Sequence, residues 1–316
     1  MSRSEKIFFP QPLRKGDKIA LLSPATSVKE EYVAGAMDKI QERGYEAVLM
    51  PHAIGHVCGS YSANKAERLM DIFDALEDPE IKAILCCRGG YGCCQLLENL
   101  SLKFISTHPK WIIGFSDVSA LLALWHHAGV AAIHGPMAKH IATMPQDDIC
   151  TQSLFDILQS GVQPDYSVAS HPYNRKGLAA GTLLGGNFAV LDNLSNTPYD
   201  ILNPSSLQDS ILFLEDIGEP IYKVNRMLWH LHLSGALKNV KGLIFGQFTD
   251  YKADKNFETT EEMIHSFLKE IKLEDIPVAY NFPVGHTDHN LPLIVGDYVD
   301  FSVKEDEVRI QRRILA

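Results

Sequence analysis

The sequence has no excess of basic charge and no long hydrophobic run, and both absences narrow what the protein can bind. Its 316 residues include 29 lysines and arginines against 39 aspartates and glutamates, which gives a formal net charge of −10. A negatively charged chain is a poor partner for nucleic-acid phosphates and for anionic membranes. Near the start, the apolar run Ile7–Phe9 is too short for a signal peptide or a membrane span. We therefore expect a soluble cytoplasmic protein that binds neither nucleic acid nor membrane.

Cysteine is scarce, with six residues, and its spacing does not favour a metal site. Four cysteines form the vicinal pairs Cys86-Cys87 and Cys93-Cys94, whereas structural zinc sites separate paired cysteines by about two to four residues. We expect reduced thiols and no metal.

The glycine-rich run Arg88–Gly92 is not a G-x-G-x-x-G motif, and no acidic residue stands in the ribose-binding position, so dinucleotide binding is not expected either. The sequence predicts an enzyme that works without a cofactor.

The length of the chain and its alternation of elements predict a two-domain α/β protein. A chain of 316 residues is longer than most domains that fold around a single hydrophobic core. In residues 1–160, apolar strands alternate with amphipathic helices, which predicts a parallel sheet covered on both faces. The turn-rich stretch 161–177 is predicted to be a linker. Residues 178–316 read as a second domain of mixed strands and helices that ends in a hairpin.

Ser116 is the candidate nucleophile because it lies where an apolar strand turns into a helix. In the run Gly114-Phe115-Ser116-Asp117, the first glycine of a G-x-S-x-G elbow is present, but Val118 replaces the second. A strand–turn–helix junction can expose a serine hydroxyl and leave the next backbone N–H free to bind an anion. A serine in this position can equally be the N-cap of the following helix. From the local residues alone, both interpretations remain open.

A serine nucleophile needs a base and an acid that orients the base. His286 follows an apolar segment and a glycine, in a loop rich in turn-forming residues, and is the candidate base. Glu215 ends an apolar strand and is the candidate orienting acid, whereas Asp216 is expected to point to the opposite side. The alternatives are an exposed loop histidine and a solvated strand end.

Backbone N–H groups near the serine could form an oxyanion hole. The N–H of Asp117 is one candidate, and the Gly89-Gly90 pair offers the other because no Cβ blocks its approach. Arg88 could bind a substrate carboxylate through two hydrogen bonds. Further on, the run Gly185-Gly186-Asn187 is predicted to form a tight strand-to-helix turn in which Asn187 contacts the site or the domain interface, although a helix start can also bind an anion.

Taken in order, these motifs resemble the LD-carboxypeptidase family of serine peptidases, family S66. The resemblance extends over nearly the whole chain and rests on the following segments: Lys15–Ala20, Arg88–Gly92, Gly114–Asp117, His134–Pro136, Gly185–Asn187, Phe213–Asp216, Asn225–Leu228 and Gly285-His286.

The resemblance implies a fold and a set of site residues. It implies an N-terminal flavodoxin-like or amidotransferase-like domain with a parallel sheet, and a smaller C-terminal β/α domain of the swivelling type. It further implies a Ser–Glu–His triad, which falls on Ser116, Glu215 and His286. The implied oxyanion hole uses the backbone of Asp117 and Gly90. Substrate contacts are then expected at three residues: Arg88, Gly89 and Asn187.

The same resemblance implies a substrate and an assembly. Family members typically cleave the bond before the terminal D-alanine of muropeptide tetrapeptides in cytoplasmic peptidoglycan recycling, and a homodimer is expected. A related branch hydrolyses a peptidyl-nucleotide antibiotic and so confers immunity, but the compact region from Leu184 to Leu214 leaves little room for an added nucleotide-binding loop. A third alternative is a non-catalytic protein that binds a peptide.

Overall fold

The computed structural model describes residues 7–313, which divide into two compact units. The first unit extends to Val162 and also includes Leu291–Gly296. The second comprises Gln163–Asn290 and the chain from Asp297 onward. The prediction of an α/β protein built from two domains is confirmed. No helix within residues 7–313 combines the length and the apolar character needed to cross a membrane.

The described chain forms thirteen strands. They are β1 (Lys18–Leu22), β2 (Glu46–Leu49), β3 (Ile81–Cys86), β4 (Trp111–Gly114), β5 (Ala132–His134), β6 (Tyr166–Ala169), β7 (Gly177–Asn187), β8 (Ser210–Ile217), β9 (Gly242–Thr249), β10 (Val278–Ala279), β11 (Leu293–Val295), β12 (Tyr298–Val303) and β13 (Glu307–Arg312).

The same residues form nine α-helices and several short 3₁₀ turns. The α-helices are α1 (Glu30–Glu42), α2 (Lys65–Glu77), α3 (Leu102–Thr107), α4 (Ser119–His127), α5 (Ala138–Thr143), α6 (Ile149–Ser160), α7 (Phe188–Asp192), α8 (Ile221–Leu233) and α9 (Thr260–Glu270).

The sheet of the first unit has the strand order β11-β5-β4-β3-β1-β2. All neighbours are parallel except β11, which pairs antiparallel with β5. Buried apolar side chains such as Ile19, Trp111 and Ile113 form its core, because helices cover both faces of a parallel sheet. The parallel sheet predicted for the N-terminal half is therefore present. The added edge strand β11 was not predicted, since a three-residue strand far along the chain carries no local signal of its partner.

The sheet of the second unit has the order β10-β9-β8-β7-β12-β13-β6. Strands β7 to β10 are parallel, whereas β12, β13 and β6 complete the sheet by antiparallel pairing. The C-terminal hairpin that the sequence predicts is β12–β13. The stretch 161–177, predicted as a linker, contains β6, whose pairing with β13 makes it the edge strand of this sheet. Turn-forming residues on either side of a short edge strand explain its loop-like composition.

The run Gly185-Gly186-Asn187 forms the end of β7, and Asn187 is also the N-cap of α7, which begins at Phe188, so the strand passes into the helix without a separate turn. Gly185 has a φ of 150° and lies against the neighbouring strand β8. A Cβ at this position would lie 1.8 Å from the carbonyl oxygen of Phe213. Glycine is therefore required here so that β7 can approach β8 closely.

We predict that Gly185→Ala destabilises the protein by about 3 kcal/mol or more, because its Cβ would overlap backbone atoms that cannot move without separating two strands. Gly235 also has a positive φ, 81°, but a Cβ there meets no atom within 4 Å. Gly235→Ala should cost only the backbone strain, about 1–2 kcal/mol. Urea unfolding followed by circular dichroism measures the free energy of unfolding of each variant and of the wild type. Equal losses would contradict the close-approach explanation.

Candidate active site

Ser116 occupies a strained turn between β4 and α4. Its φ is 62°, in the left-handed region that a residue with a side chain rarely adopts. Ser116–Val118 form a short 3₁₀ turn, and α4 begins only at Ser119, with Val118 at its N-cap and no side-chain capping bond. Ser116 is therefore not the N-cap of this helix. A strained serine between a strand and a helix is typical of a nucleophile elbow.

The first glycine of the Gly89-Gly90 pair lies directly against this elbow. A Cβ at Gly89 would lie 2.9 Å from Cβ of Ser116 and 3.3 Å from the backbone nitrogen of Asp117. At Gly90, with a φ of 105°, a Cβ would lie 2.0 Å from Oγ1 of Thr26. The absence of both side chains lets the glycine-rich loop pass beside Ser116 and Asp117.

The side chains of Asp117 and Arg68 hold this loop in place, a role that was not predicted for either side chain. The buried carboxylate of Asp117 accepts a hydrogen bond of 2.8 Å from the backbone N–H of Cys93, which ties the elbow to the end of the loop. Arg68, which is 2 % exposed, donates from Nη1 to the carbonyl oxygens of Pro24 (2.8 Å) and Gly92 (3.1 Å). Two features of the sequence could have indicated this role: an acid directly follows the candidate nucleophile, and an arginine lies on the apolar face of α2.

Arg88 is exposed at the start of the glycine-rich loop. Its Nη1 donates a hydrogen bond of 2.7 Å to the carbonyl oxygen of Ser27. A guanidinium group has five N–H donors, so this bond orients the side chain and leaves donors for an anion. The pairing of Arg88 with a substrate carboxylate stays a prediction.

None of the six cysteines, all of which lie within residues 7–313, forms a disulfide bond. Cys86, Cys87, Cys93 and Cys150 are buried, whereas Cys58 and Cys94 are exposed. Burial raises the pKa of the Cys87 thiol to about 12. A buried thiol with so high a pKa is a core residue and not a nucleophile.

In the second unit, Glu215 and His286 form a buried pair. Glu215 lies near the end of β8 with no exposed surface, and its Oε2 is 2.8 Å from Nδ1 of His286. The side chain of His286 is 14 % exposed. A buried carboxylate that holds one nitrogen of an imidazole leaves the other nitrogen to exchange a proton. The structure therefore joins the candidate base to the candidate orienting acid.

The backbone before His286 explains how the two side chains come so close. Gly285 has a φ of 126°, and a Cβ there would lie 3.0 Å from both Cβ and Oε2 of Glu215. The backbone N–H of Gly285 donates 2.9 Å to Oδ1 of the buried Asn290, and Gln247 on β9 donates its N–H to the carbonyl oxygen of Val284 at 2.8 Å. These bonds anchor the histidine loop to the sheet. The glycine before the histidine was visible in the sequence, but its contact with Glu215 was not.

The environment of His286 favours its protonated form. Burial lowers the pKa of the imidazole, but the hydrogen bond to Glu215 and the negative charges of Glu215, Asp216 and Asp250 outweigh that effect. The pKa of His286 is therefore raised above its ordinary value of 6.5. A stronger base accepts a proton from a hydroxyl more readily.

Asp216 has partners different from those of Glu215. Its carboxylate accepts hydrogen bonds from Nδ2 of Asn187 (3.1 Å) and from the backbone N–H groups of Ala189 (2.9 Å) and Ile217 (2.8 Å). Burial and the neighbouring charge of Glu215 raise the pKa of Asp216 to about 7. Asn187 also caps α7 by accepting the N–H of Val190. In this structure Asn187 thus ties α7 to β8, and its predicted contact with substrate stays a prediction.

The candidate residues form two groups, one in each unit. Ser116, Asp117 and the Gly89-Gly90 pair belong to the first unit, and Glu215 and His286 belong to the second. A strained serine elbow in one α/β unit and a buried acid–histidine pair in another are the parts of a serine-type hydrolase. The class of the protein is therefore a two-domain serine hydrolase. The grouping of the three residues into one triad stays a prediction.

Comparison with known proteins identifies the family. Residues 19–135 match the LD-carboxypeptidase N-terminal domain, and residues 180–301 match the LD-carboxypeptidase C-terminal domain. The chain belongs to the LD-carboxypeptidase family, as the ordered motifs predicted, and it is a serine-type carboxypeptidase.

Individual relatives agree with this assignment. The chain is 30% identical over 282 residues to the murein tetrapeptide carboxypeptidase of Pseudomonas aeruginosa, covering 86% of this chain and 89% of the relative. A crystal structure of muramoyltetrapeptide carboxypeptidase from Oxalobacter formigenes is similar, with a TM-score of 0.81, 29% identity and coverage of 94% and 99% of the two chains. The microcin C7 self-immunity protein MccF has a TM-score of 0.84 at 22% identity, with coverage of 98% and 100%, and so shares the fold.

We predict that Glu215→Gln lowers the pKa of His286. The substitution removes the negative charge that favours the imidazolium and keeps the burial that opposes it. Titration of the imidazole by NMR in the wild type and the variant measures the difference. Glu270→Gln, which changes an exposed carboxylate on α9, should leave the titration unchanged. A wild-type pKa at or below 6.5 would contradict the analysis of this pair.

Proposed function

We propose that this protein is an LD-carboxypeptidase that removes the terminal D-alanine from muropeptide tetrapeptides, with Ser116 as nucleophile. The observation that carries the proposal is the buried pair of Glu215 and His286, with 2.8 Å between Oε2 and Nδ1. The positive φ of Ser116, 62°, supports the assignment of the nucleophile. The substrate is supported by the relative from Pseudomonas aeruginosa, which is named a murein tetrapeptide carboxypeptidase and is 30% identical.

In the proposed mechanism, His286 takes the proton from Oγ of Ser116 as that oxygen attacks the carbonyl carbon before D-alanine. The resulting oxyanion accepts hydrogen bonds from the backbone N–H groups of Asp117 and Gly90. His286 then donates its proton to the leaving amine, and free D-alanine departs. A water molecule, deprotonated by His286, attacks the acyl-enzyme, and the tripeptide is released as Ser116 recovers its proton. Glu215 keeps its charge and orients His286 throughout.

A guanidinium group suits the recognition of a terminal carboxylate, because it can donate two parallel hydrogen bonds to it. Arg88 lies beside the glycine pair, and its guanidinium would bind the carboxylate of the terminal D-alanine. Gly89 and Asn187 complete the proposed substrate contacts. The proposal includes a cytoplasmic role in peptidoglycan recycling and a homodimeric assembly, both of which rest on the resemblance to the family.

We predict that Ser116→Ala lowers kcat by about 10⁴-fold or more, because the acyl-enzyme can no longer form. The assay incubates the purified protein with a muropeptide tetrapeptide that ends in D-alanine and measures D-alanine and tripeptide by mass spectrometry. Ser106→Ala is the matched control, since Ser106 is an exposed serine whose hydroxyl donates within α3. Substantial D-alanine release by Ser116→Ala would overturn the assignment.

The choice of substrates separates the proposed function from its rivals. A tetrapeptide that ends in L-alanine should remain intact. Release of an aminoacyl nucleotide from a peptidyl nucleotide, without release of D-alanine, would assign the protein to the immunity-type branch. Binding of the tetrapeptide without turnover, and without labelling of Ser116 by a serine-reactive probe, would indicate a peptide-binding protein.

We predict that activity falls as the pH drops through a value above 6.5, because a raised pKa means that His286 becomes protonated there and can no longer act as a base. In Glu215→Gln this limb of the kcat/KM profile should move to lower pH, while the maximal rate decreases. A limb that stays in place would mean that another group controls the profile.

The double variant Ser116→Ala, His286→Ala should lose little more activity than either single variant, because the two residues act as one unit.

A further inference from the structure

We propose that His52, His56 and Glu67 form a Zn²⁺-binding site in the first unit. One candidate ligand atom from each residue lies within 4.8 Å of the others. Nδ1 of His56 is 3.8 Å from Oε1 of Glu67, and the two imidazole rings have their centres 5.0 Å apart. Two imidazoles and one carboxylate are a donor set that zinc accepts, with a fourth position left for water. The site uses none of the residues assigned to the proposed reaction and does not depend on it.

The position of Glu67 is fixed by the start of α2. Asn64 caps this helix, and Oε2 of Glu67 accepts the backbone N–H of Asn64 at 3.1 Å, which completes a capping box. The other carboxylate oxygen, Oε1, is the one that lies nearest His56. A carboxylate held in this way already presents one oxygen to the histidines, so little ordering is needed when a cation binds.

His52 has the hydrogen bond that orients a metal-binding histidine. Its Nδ1 is 2.8 Å from Oδ1 of Asp71, and both oxygens of Asp71 accept its backbone N–H, at 3.2 and 3.1 Å. Asp71 is 2 % exposed and lies one helical turn beyond Glu67 on α2. Metal-bound histidines usually donate their second nitrogen to a carboxylate, which fixes the tautomer and increases the basicity of the ligating nitrogen. Asp71 thus acts as a positioning residue and leaves Nε2 of His52 for the metal.

The loop that carries His56 can close the remaining gap. Zinc–ligand bonds of about 2.0–2.1 Å place tetrahedral ligand atoms about 3.3 Å apart, so the cluster must contract slightly. His56 lies between Gly55 and Gly59, where the chain has positive φ values of 81° and 63° and a Cβ would meet nothing within 4 Å. The His56 side chain is exposed and these glycines leave its loop unobstructed, so we expect the imidazole to move toward Glu67 when zinc binds.

Zinc at this site would act on the edge of the glycine-rich loop. Tyr61 follows the histidines in the same segment, and its ring contacts the ring of Tyr91 with centres 4.8 Å apart. The guanidinium of Arg68 lies 4.7 Å from the centre of the Tyr61 ring. A cation that ties residues 52–56 to α2 would thus restrain the segment that packs against Tyr91.

The proposal departs from the expectation of no metal. That expectation rested on cysteine spacing, and the cysteines indeed take no part in this cluster. His52 and His56 stand in an irregular loop, where a spacing of four residues does not by itself bring two side chains together. Only the packing of this loop on α2 brings the carboxylates of Glu67 and Asp71 to the two histidines.

Isothermal titration of the full-length protein with ZnCl₂, with any histidine tag removed, tests the site. The wild type should bind one Zn²⁺ per chain. His56→Ala should weaken binding by more than about 100-fold, and Asp71→Asn by about 10–100-fold. Glu67→Gln should weaken it by more than about 10-fold while leaving the helix start intact, because glutamine also completes a capping box. Circular dichroism checks that each variant is folded.

Two control variants separate this site from other zinc ligands. Cys58→Ser removes an exposed thiol close in sequence, and His289→Ala removes an exposed imidazole in the second unit. Both should bind zinc as the wild type does. The proposal is overturned if the wild type binds no zinc, if folded His56→Ala binds it unchanged, or if Cys58→Ser or His289→Ala abolishes binding. Zinc should also raise the thermal midpoint of the wild type but not that of His56→Ala.

Discussion

The hydrogen bond between Glu215 and His286 is the interaction on which the chemistry of the second unit depends. A carboxylate with no exposed surface is costly unless a partner compensates for its lost hydration. The imidazole provides such compensation, and in return its own pKa is raised. One contact therefore makes the buried acid tolerable and the histidine basic. Removing either partner leaves the other buried without its hydrogen-bonding and charge partner, and this makes such pairs sensitive to substitution.

Close approach of the backbone makes both groups of candidate residues possible. Gly285 allows the histidine loop to reach Glu215, and Gly89 allows a loop to pass beside Ser116. A Cβ at Gly89 would lie 2.9 Å from Cβ of Ser116, and a Cβ at Gly285 would lie 3.0 Å from Oε2 of Glu215, both closer than an ordinary contact. The glycines thus act by leaving space, and the polar anchors Asn290 and Asp117 hold the loops in that space.

The sequence was sufficient to predict the α/β class, the parallel sheet of the first unit and the C-terminal hairpin, because their hydrophobic patterns are local and regular. It also indicates Glu215 and His286 as candidate residues, since strand ends and turn-rich loops are common positions for side chains of a site. It did not predict β11 or β6, because the partners of short strands are set by packing. The bond from Cys93 to Asp117 was likewise beyond local patterns.

The strand β11 has a consequence for how the chain is made. Leu293–Val295 complete the sheet of the first unit, although all of its other strands precede residue 135. During synthesis on the ribosome, that sheet must wait with an open edge at β5 until nearly the whole polypeptide has emerged. Most of the second unit, Gln163–Asn290, thus lies in the sequence between the last two strands of the first, and its remaining strands follow β11. A truncation that removes the end of the second unit together with β11 would leave β5 as an unpaired edge strand. Unpaired strand edges promote aggregation.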